Sequence, residues 1–403
     1  MAEPVVVATA RSPIGRAFKG SLADLRPDDL TATIVRAALG RVPELDPAEV
    51  EDVIVGCGMP GGEQGYNLGR VVAVLAGLAD VPGCTITRYC SSSLQTMRMA
   101  AHAIRAGEGD VFVAAGVEMV SRFAKGTADN LPGTENPRFD EAQRRTTERA
   151  HGGADPWQPV DGSLPDIYIA MGQTAENVAD IEKISRAEMD EYALLSQTRA
   201  VAAQQRGFFD REITPVELPG GRSVTADDGP RPDTSLEKLA ALAPAFRPDG
   251  RVTAGNSCPL NDGAAAVVIM SDTRARELGI QPRARIVATA VSGLNPEIMG
   301  LGPIEASRRV LRRAGMTIDD VDLVEINEAF AAQVIPSARA LGAPWDKLNI
   351  NGGAIALGHP FGMTGARIMA TLLNGLEATD KTVGLETMCV GGGQGMAIIV
   401  ERL

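Results

Sequence analysis

The sequence has few cysteine and histidine side chains that could act in catalysis. Its 403 residues include only five cysteines and three histidines. A cysteine thiolate is a strong nucleophile, and histidine is the side chain that most often moves protons near neutral pH. The cysteines are too scattered for a disulfide framework, and the absence of a Cys-x-x-Cys pair disfavours a structural zinc site. The candidates are Cys57, Cys84, Cys90, Cys258, Cys389, His102, His151 and His359.

Cys90 has the sequence position of a nucleophile. It lies in Thr-Ile-Thr-Arg-Tyr-Cys-Ser-Ser-Ser, between an apolar strand and a helix. The positive end of that helix is expected to lower the pKa of the thiol and favour the thiolate. A buried, inert cysteine fits the local sequence equally well. Cys57 and Cys84 lie in or beside apolar strands and are predicted to be structural, whereas His102 and His151 are predicted to be exposed.

His359 lies in a glycine-rich loop, Asn-Gly-Gly-Ala-Ile-Ala-Leu-Gly-His-Pro-Phe-Gly-Met-Thr-Gly-Ala-Arg. Such a loop permits tight turns and close backbone approach, and the next helix is predicted to begin near Thr364. A histidine flanked by glycines on a loop is rarely a core residue. The glycines match neither the P-loop pattern nor a dinucleotide-binding fingerprint, so a phosphate-binding role is only weakly indicated.

Two further segments place polar groups at predicted strand ends. Cys389 ends the strand that begins at Val383 and precedes Gly-Gly-Gly-Gln-Gly, which predicts a hairpin with the thiol at its tip. The backbone N–H groups of that turn, from Gly391 onward, could form an oxyanion hole. Asn327 follows another strand and could hold a water or polarise a carbonyl, although an asparagine helix cap is an equally good interpretation.

The elements that must position these groups alternate between strands and helices in the first 120 residues and again in the last third. This alternation predicts an α/β fold with a mostly parallel sheet covered on both faces. Residues 121–247 are instead rich in proline, glycine and charge. They contain two predicted helices, one near 170–181 and one that starts at Ser185 with a capping box. We interpret this region as an excursion that covers or shapes the site.

An internal repeat links the two alternating regions. The segment Glu-Val-Glu-Asp-Val-Ile-Val-Gly around Asp52 resembles the segment around Asp322, 270 residues later. Cys90 and His359, each near the start of a predicted helix, are 269 residues apart. The preserved spacing indicates a duplicated domain that presents the cysteine and the histidine from equivalent helix N-termini.

Composition excludes several classes of protein. The net charge of -12 argues against a general nucleic-acid binder. No run of apolar residues is long enough for a transmembrane helix. The first residues lack the features of a signal peptide, so a cytoplasmic protein is expected.

Taken together, these motifs resemble the thiolase family. The similarity rests on Cys90 with its serines, Asn327-Glu-Ala-Phe, Gly-His359-Pro and Cys389-Val-Gly-Gly-Gly, in the order of the family. Thr253-Ala-Gly-Asn-Ser-Cys-Pro-Leu-Asn-Asp-Gly and Met171-Gly-Gln-Thr-Ala-Glu are also similar. The resemblance implies the thiolase fold, with duplicated five-layered α-β-α-β-α halves and an inserted loop domain. It implies an N-terminal half of residues 1–120 plus 248–275, a loop domain of 121–247 and a C-terminal half of 276–403.

The resemblance also implies roles for the residues. Cys90 would be the nucleophile that takes the acyl group as a thioester, and His359 would lower its pKa and donate to the thioester oxygen. Cys389 would be the acid or base at the substrate α-carbon. Asn327 with His359 would form one oxyanion hole, and the N–H groups of Cys90 and Gly391 the other.

Several residues are expected to contact coenzyme A or the acyl group by the same resemblance. Arg231, Phe246, Ala254 and Cys258 would line the coenzyme A channel, while Met171 and Phe330 would contact the substrate. This chain has Ala170 where short-chain members carry a histidine, which favours a roomier, degradation-type acyl site. It has Cys258 where the family often has a serine, which puts that polar contact in doubt.

The resemblance therefore implies CoA-dependent cleavage of 3-oxoacyl-CoA, in the degradative direction of lipid metabolism such as fatty-acid β-oxidation. The alternatives are a ketoacyl-synthase-type condensing enzyme and a non-catalytic acyl-CoA or lipid carrier on a thiolase scaffold. Coenzyme A is expected as a co-substrate, with no metal and no permanently bound cofactor. The expected partners are acyl-CoA and CoA, with no nucleic acid and no membrane, and the expected assembly is a homodimer or homotetramer.

Overall fold

A computed structural model describes residues 2–126, 129, 131–153 and 155–403. The strands are β1 (Pro4–Arg11), β2 (Gly15–Arg16), β3 (Asp52–Cys57), β4 (Gly83–Ile86), β5 (Val111–Met119), β6 (Val216–Glu217), β7 (Ser223–Val224), β8 (Asn261–Ser271), β9 (Ala284–Gly293), β10 (Leu323–Ile326), β11 (Val383–Val390) and β12 (Gln394–Arg402). The helices are α1 (Pro27–Leu39), α2 (Leu68–Leu75), α3 (Ser92–Ala106), α4 (Asp140–Ala150), α5 (Met171–Ile181), α6 (Arg186–Gln205), α7 (Leu236–Ala240), α8 (Asp272–Leu278), α9 (Gly302–Ala314), α10 (Ala331–Leu341), α11 (Ala354–Leu357) and α12 (Thr364–Ala378). None of the described helices is both long and apolar enough to cross a membrane.

Ten of the described strands form one sheet in the order β10-β11-β12-β9-β1-β8-β5-β3-β4, with β2 paired to β8. The prediction of a mostly parallel sheet is wrong, because β3–β4, β3–β5 and β10–β11 are parallel while the other six pairings in this sheet are antiparallel. One antiparallel pairing follows from chain connectivity, because β11 and β12 are joined by a short turn. The others join strands β1, β5, β8, β9 and β12 that are far apart in the chain, so the sequence alternation did not reveal their direction.

The two halves of the sheet have corresponding strand arrangements. In the first half, β3 is parallel to both β4 and β5, and β5 is antiparallel to β8. In the second half, β10 is parallel to β11, and β11 is antiparallel to β12. The segment at Leu348 bridges Val324 of β10 in the parallel sense and takes the place of β4. This correspondence supports the duplication that the preserved spacing indicated.

Five layers result from this arrangement. Helices α1, α2 and α8 cover the outer face of the first half-sheet, and α9 covers the outer face of the second. Helices α3 and α12 pack against each other in a central layer, where they contact strands of both half-sheets. Helix α3 has one apolar face in this layer, since Leu94, Met97, Ala101 and Ile104 are all buried. The α-β-α-β-α arrangement is therefore built by the two halves together, which share the central helical layer.

The excursion is an ordered part of the fold. The two predicted helices are α5 and α6, and the predicted capping box is present between Ser185 and Glu188 at the start of α6. Helices α4 and α7 and the small β6–β7 hairpin were not predicted. The buried Arg11 guanidinium of β1 binds Glu212 at 2.8 Å and Asp227 at 2.7 Å, so a charge in the sheet holds the end of the excursion in place.

A second buried group of charges lies between α12 and the second half-sheet. Glu325 of β10 and Glu386 of β11 are in register on neighbouring parallel strands, and both are buried. Burial raises the pKa of Glu325 from its ordinary value of 4.5 to about 8, although the charge of Arg367 on α12 opposes this rise. Because the folded state holds this proton more tightly than the unfolded chain, Glu325 stabilises the fold at low pH. That stability is lost as pH rises from about 4.5 to about 8.

We predict that Glu325→Gln flattens the pH dependence of stability. Between the two pKa values Glu325 is protonated only in the folded state. Each pH unit of rise in this interval lowers the free energy of unfolding by up to about 1.4 kcal/mol. The apparent Tm of the wild type should therefore fall between pH 5.5 and pH 8 by roughly 2–5 °C more than that of the variant. Thermal unfolding at matched ionic strength measures this, with Glu182→Gln on the exposed surface as the control. Parallel pH curves for the wild type and Glu325→Gln would contradict the prediction.

Candidate active site

Cys90 lies on a strained turn that connects β4 to α3. The 3-10 turn Tyr89–Ser91 leads directly into α3. Tyr89 has a φ of +42°, in the left-handed region that side chains other than glycine rarely adopt. The Ser92 hydroxyl donates to the Tyr89 carbonyl at 2.7 Å and accepts from the Arg88 N–H at 2.9 Å. These two hydrogen bonds hold the turn that presents the Cys90 thiol.

The electrostatics of Cys90 differ from the expectation. The backbone N–H groups of Gly391 and of Cys90 itself hydrogen-bond its sulfur, which favours the thiolate. Burial has the larger effect and raises the pKa of the thiol to about 11. The prediction of a lowered pKa is therefore wrong, because a buried charge loses its hydration and this outweighs the backbone donors. The thiol stays protonated near neutral pH.

The loop that carries His359 joins a chain of hydrogen bonds. The Asn327 side-chain amide lies 3.3 Å from Nε2 of His359, and the Thr364 hydroxyl lies 2.6 Å from Nδ1. Thr364 also donates its only hydroxyl proton to the Pro360 carbonyl at 2.8 Å. Thr364 must therefore accept from Nδ1–H, which leaves the lone pair of a neutral imidazole on Nε2. Burial lowers the pKa of His359 to about 3, with a smaller contribution from Arg367, which is consistent with a neutral ring.

The start of α12 is fixed against the nucleophile helix. The Ala366 N–H of α12 donates to the Ser93 hydroxyl of α3 at 2.9 Å. A side chain at Gly365 would collide with the backbone of Leu94. The rings of His359 and Phe361 meet edge to face, with centroids 5.2 Å apart. The predicted start of a helix at Thr364 is confirmed.

Cys389 lies in β11, one residue inside the strand end, and the hairpin turn at 391–393 leads to β12. The hairpin is thus confirmed, although the thiol belongs to the strand and not to the tip. Burial raises the pKa of Cys389 well above its ordinary value, and the nearby thiols of Cys90 and Cys258 raise it further. Cys258 is half-buried, and burial raises its pKa. Three thiols therefore share one neighbourhood of the fold.

Sequence reasoning missed a buried carboxylate that connects two active-site loops. Glu118, the next-to-last residue of β5, accepts from the N–H groups of Gly58 at 2.7 Å and Gly362 at 2.9 Å. It also accepts from the Gln64 side chain at 2.9 Å. Glu118 thereby holds the loop after β3 against the loop that follows His359. The sequence signal that could have identified this residue is a single glutamate near the end of an otherwise apolar strand.

A second missed carboxylate lies directly after Asn327. Glu328 is buried and accepts from the hydroxyls of Tyr192 at 2.8 Å and Ser196 at 2.6 Å, both on α6. It also accepts from the Ile355 N–H at 3.1 Å, in the glycine-rich segment before His359. The excursion, the asparagine loop and the histidine loop are therefore joined through one side chain. Asn261 adds a further contact, since its side chain accepts from the His359 N–H at 3.0 Å.

A cavity of about 610 Å³ opens beside the nucleophile. Cys90 and Gly391 line its inner end, and Met171 at the start of α5 lines its wall together with Ala170. Met171, which was predicted to contact the substrate, therefore lines a cavity. This volume lies within the range that small-molecule sites usually have, roughly 300–1,000 Å³.

A second cavity of about 170 Å³ is lined by three cationic side chains and one carboxylate. Arg16, Arg231 and Lys238 line it together with Ala254, and Asp233 of the lining pairs with Lys238 at 2.7 Å. Burial lowers the pKa of the Arg231 guanidinium, and the positive charge of Arg16 lowers it further. This local positive charge contrasts with the net charge of -12 for the whole chain.

The remaining predicted contact residues line neither of these two cavities. Phe246 and Phe330 pack edge to face with centroids 6.2 Å apart, and neither lines the two cavities. Cys258 hydrogen-bonds through its N–H to the Ala329 carbonyl and also lines neither. His102 and His151 are exposed as predicted. The described residues contain no group of three or more histidine, cysteine or acidic side chains arranged to hold a metal ion.

Comparisons with known proteins agree with this geometry. Residues 4–273 match the family model of the thiolase N-terminal domain, and residues 280–402 match that of the thiolase C-terminal domain. The 3-oxoadipyl-CoA/3-oxo-5,6-dehydrosuberyl-CoA thiolase of Escherichia coli K12 is 44% identical over 414 residues, which cover 100% of both chains. The 3-ketoacyl-CoA thiolase of Aeromonas hydrophila is 42% identical over 412 residues, again with 100% of both chains covered. The crystal structure of the Bacillus anthracis acetyl-CoA acetyltransferase superimposes with a TM-score of 0.86 at 39% identity, covering 100% of this chain and 99% of that one.

These comparisons confirm the predicted thiolase fold and the predicted acyltransferase class. The roles of individual residues and the boundaries of the three regions stay predictions. Two adjoining family models and full-length relatives at more than 40% identity establish the family of this chain. The protein belongs to the thiolase family.

Proposed function

We propose that the protein cleaves 3-oxoacyl-CoA with coenzyme A, through an acyl-enzyme on Cys90, to give acetyl-CoA and an acyl-CoA shortened by two carbons. The observation that carries this proposal is the position of Cys90. Its sulfur accepts hydrogen bonds from two backbone N–H groups, those of Cys90 and Gly391, at the inner end of the 610 Å³ cavity. A sulfur in that position can attack a carbonyl carbon whose oxygen then takes over the same two donors.

The first half-reaction begins with removal of the Cys90 proton. Nε2 of His359 carries a lone pair and can accept it, because Nδ1–H is committed to Thr364. The thiolate adds to the C3 carbonyl of the substrate, and the bond between C2 and C3 then breaks. The acyl group remains on Cys90 as a thioester, and the departing enolate of acetyl-CoA takes a proton from the Cys389 thiol.

The second half-reaction restores the enzyme. The Cys389 thiolate takes the proton of the incoming coenzyme A thiol, and the sulfur of coenzyme A adds to the thioester carbonyl. Acyl-CoA leaves, and Cys90 recovers its proton from the His359 imidazolium. The raised pKa of Cys389 suits this role, because a thiolate that is costly to form is a strong base.

Two sets of donors would stabilise the negative oxygens. The N–H groups of Cys90 and Gly391 would bind the oxygen of the acyl group on Cys90. The Asn327 amide and protonated His359, which lie 3.3 Å apart, would bind the thioester oxygen of the enolate. Each donor of this kind contributes about 3–4 kcal/mol to other acyl-transfer enzymes.

The second cavity fits the phosphates of coenzyme A. Arg16, Arg231 and Lys238 line it together, and arginine binds phosphate through paired N–H donors. We propose Arg231 as a phosphate contact and Ala254 as part of the channel wall. The volume beside Cys90 and the alanine at position 170 support a degradative enzyme for longer acyl chains.

We predict that Cys90→Ala abolishes cleavage of 3-oxoacyl-CoA. Loss of the nucleophile removes the covalent route and should lower kcat by on the order of 10⁴-fold or more. Release of acetyl-CoA from 3-oxoacyl-CoA of increasing chain length measures this. Cleavage by neither the wild type nor the variant, with acyl-CoA still bound, would reject the proposal and favour the non-catalytic carrier. The buried Cys57→Ala is the matched control for loss of a thiol.

We predict that Cys389→Ala separates acyl transfer from carbon–carbon cleavage. The variant should still become acylated on Cys90 by a simple saturated acyl-CoA, because that step needs no proton transfer at carbon. Its cleavage of 3-oxoacyl-CoA should fall by roughly 10²–10⁴-fold, the usual contribution of a general acid. Mass spectrometry of the intact protein detects the acyl adduct, and Cys90→Ala provides the blank. Full cleavage activity in Cys389→Ala would reject the assigned role.

We predict that Thr364→Val slows the activation of Cys90, whereas Thr364→Ser does not. Valine removes the acceptor that keeps the proton on Nδ1, so Nε2 no longer has a fixed lone pair. The rate of Cys90 alkylation by iodoacetamide near pH 7, read by site-resolved mass spectrometry, should fall by roughly 10-fold or more. The pH profile of kcat/KM should shift in the same variant. An unchanged alkylation rate in a folded Thr364→Val enzyme would contradict the proposed tautomer.

A further inference from the structure

We infer that the enzyme prefers a bulky, uncharged acyl group in the cavity beside Cys90 and discriminates against acyl groups that end in a carboxylate. This inference rests on the proposed thiolytic function and concerns the substrate class of the same site. It is carried by three features of the cavity: its volume, the chemistry of its walls and the sign of the charges that line it.

The volume is larger than a short acyl group requires. About 610 Å³ corresponds to roughly twenty water molecules at ~30 Å³ each. The four-carbon group that Cys90 would receive from 3-oxoadipyl-CoA leaves most of this space to water. An acyl group with eight or more carbons, or with a ring, fills it and removes more apolar surface from water.

The walls are apolar along most of the cavity. Met59, Ile167, Ile169 and Phe361 contribute to them, in addition to the residues from the start of α5. Ile169 is almost fully buried in the unliganded protein, so this wall belongs to the packed structure. Each methylene that moves from water to such a wall should raise kcat/KM by roughly fourfold.

The charges on the cavity are acidic. Asp129 and Glu135 line it, and the lining includes no lysine, arginine or histidine among the described residues. Thr127, Ala128 and Asn130, neighbours of Asp129 outside the described residues, are uncharged in type. A terminal carboxylate entering this cavity would meet like charges and lose its hydration without a cationic partner.

Two arginines of neighbouring segments donate to neutral acceptors. Nη1 of Arg88 donates to the Gln394 side chain at 2.7 Å, and its Nε donates to Gln95 at 3.0 Å. The Arg145 guanidinium on α4 donates to the Leu164 carbonyl at 2.7 Å. Glu135 accepts from the Gln143 side chain at 2.6 Å, which fixes one carboxylate of the cavity in place. A carboxylate-ended acyl group would have to break such contacts to pair with Arg88 or Arg145.

This chemistry separates the chain from a relative that it resembles closely. The Escherichia coli relative is named for 3-oxoadipyl-CoA, whose acyl chain ends in a carboxylate. The family and the overall fold are shared, but the acidic and apolar lining described above is suited to a different acyl group.

The test compares kcat/KM of the wild-type enzyme for four substrates: acetoacetyl-CoA, 3-oxodecanoyl-CoA, 3-oxoadipyl-CoA and the methyl ester of 3-oxoadipyl-CoA. We expect 3-oxodecanoyl-CoA to exceed 3-oxoadipyl-CoA by roughly 100-fold, and the neutral ester to exceed the acid by roughly 10-fold. Equal or greater kcat/KM for the acid overturns the inference. Cleavage of none of the four substrates overturns the proposed function instead.

A charge reversal tests the role of the acidic lining. In Glu135→Lys the ratio of kcat/KM for 3-oxoadipyl-CoA to that for its methyl ester should rise by roughly 10-fold, because the new ammonium can pair with the substrate carboxylate. Glu135→Gln is the matched variant that removes only the negative charge, and it should raise the ratio by a smaller factor. An unchanged ratio in Glu135→Lys overturns the assignment of charge discrimination to this cavity.

Discussion

The site depends on the close approach of α3 and α12 in the central helical layer. The turn before α3 and the loop before α12 meet at the starts of these helices, and Cys90 from the turn and Phe361 from the loop line one cavity. Two glycines permit this approach: Gly365 lies against the backbone of Leu94, and Gly116 of β5 lies against the carbonyl of Gly362. A Cβ atom at either position would push the two loops apart. Protein interiors are too densely packed to absorb such a displacement elsewhere.

Buried carboxylates then fix the loops that the glycines bring together. Glu118 connects the loop after β3 to the histidine loop, and Glu328 connects the histidine loop to α6 of the excursion. A carboxylate that accepts several N–H and O–H donors compensates for its burial and restricts all its partners at once. The excursion is therefore part of the active-site scaffold, and the Arg11 pairs with Glu212 and Asp227 hold its other end.

Burial explains how the thiols of the site differ from a simple helix-end cysteine. Desolvation raises the pKa of Cys90 to about 11 despite two backbone donors to its sulfur. The helix end was visible in the sequence, but the dry environment was not, because it is created by segments hundreds of residues away. The same dryness keeps His359 neutral and makes its tautomer depend on Thr364. The proposed activation of Cys90 by a neighbouring base therefore depends on segments distant in the chain and not on its own local sequence.

The sequence alone determined the family, the strand and helix alternation and the duplicated spacing, and it predicted Cys90, His359 and Cys389 as the reactive residues. These features depend on local motifs and on spacing along the chain, which a sequence records directly. The antiparallel pairing of the long strands, the clamps made by Glu118 and Glu328, the high pKa of Cys90 and the lining of the 610 Å³ cavity were decided only by the tertiary structure. Each of these arises from contacts between segments far apart in the chain, and burial and pairing across such distances are set by packing of the whole molecule.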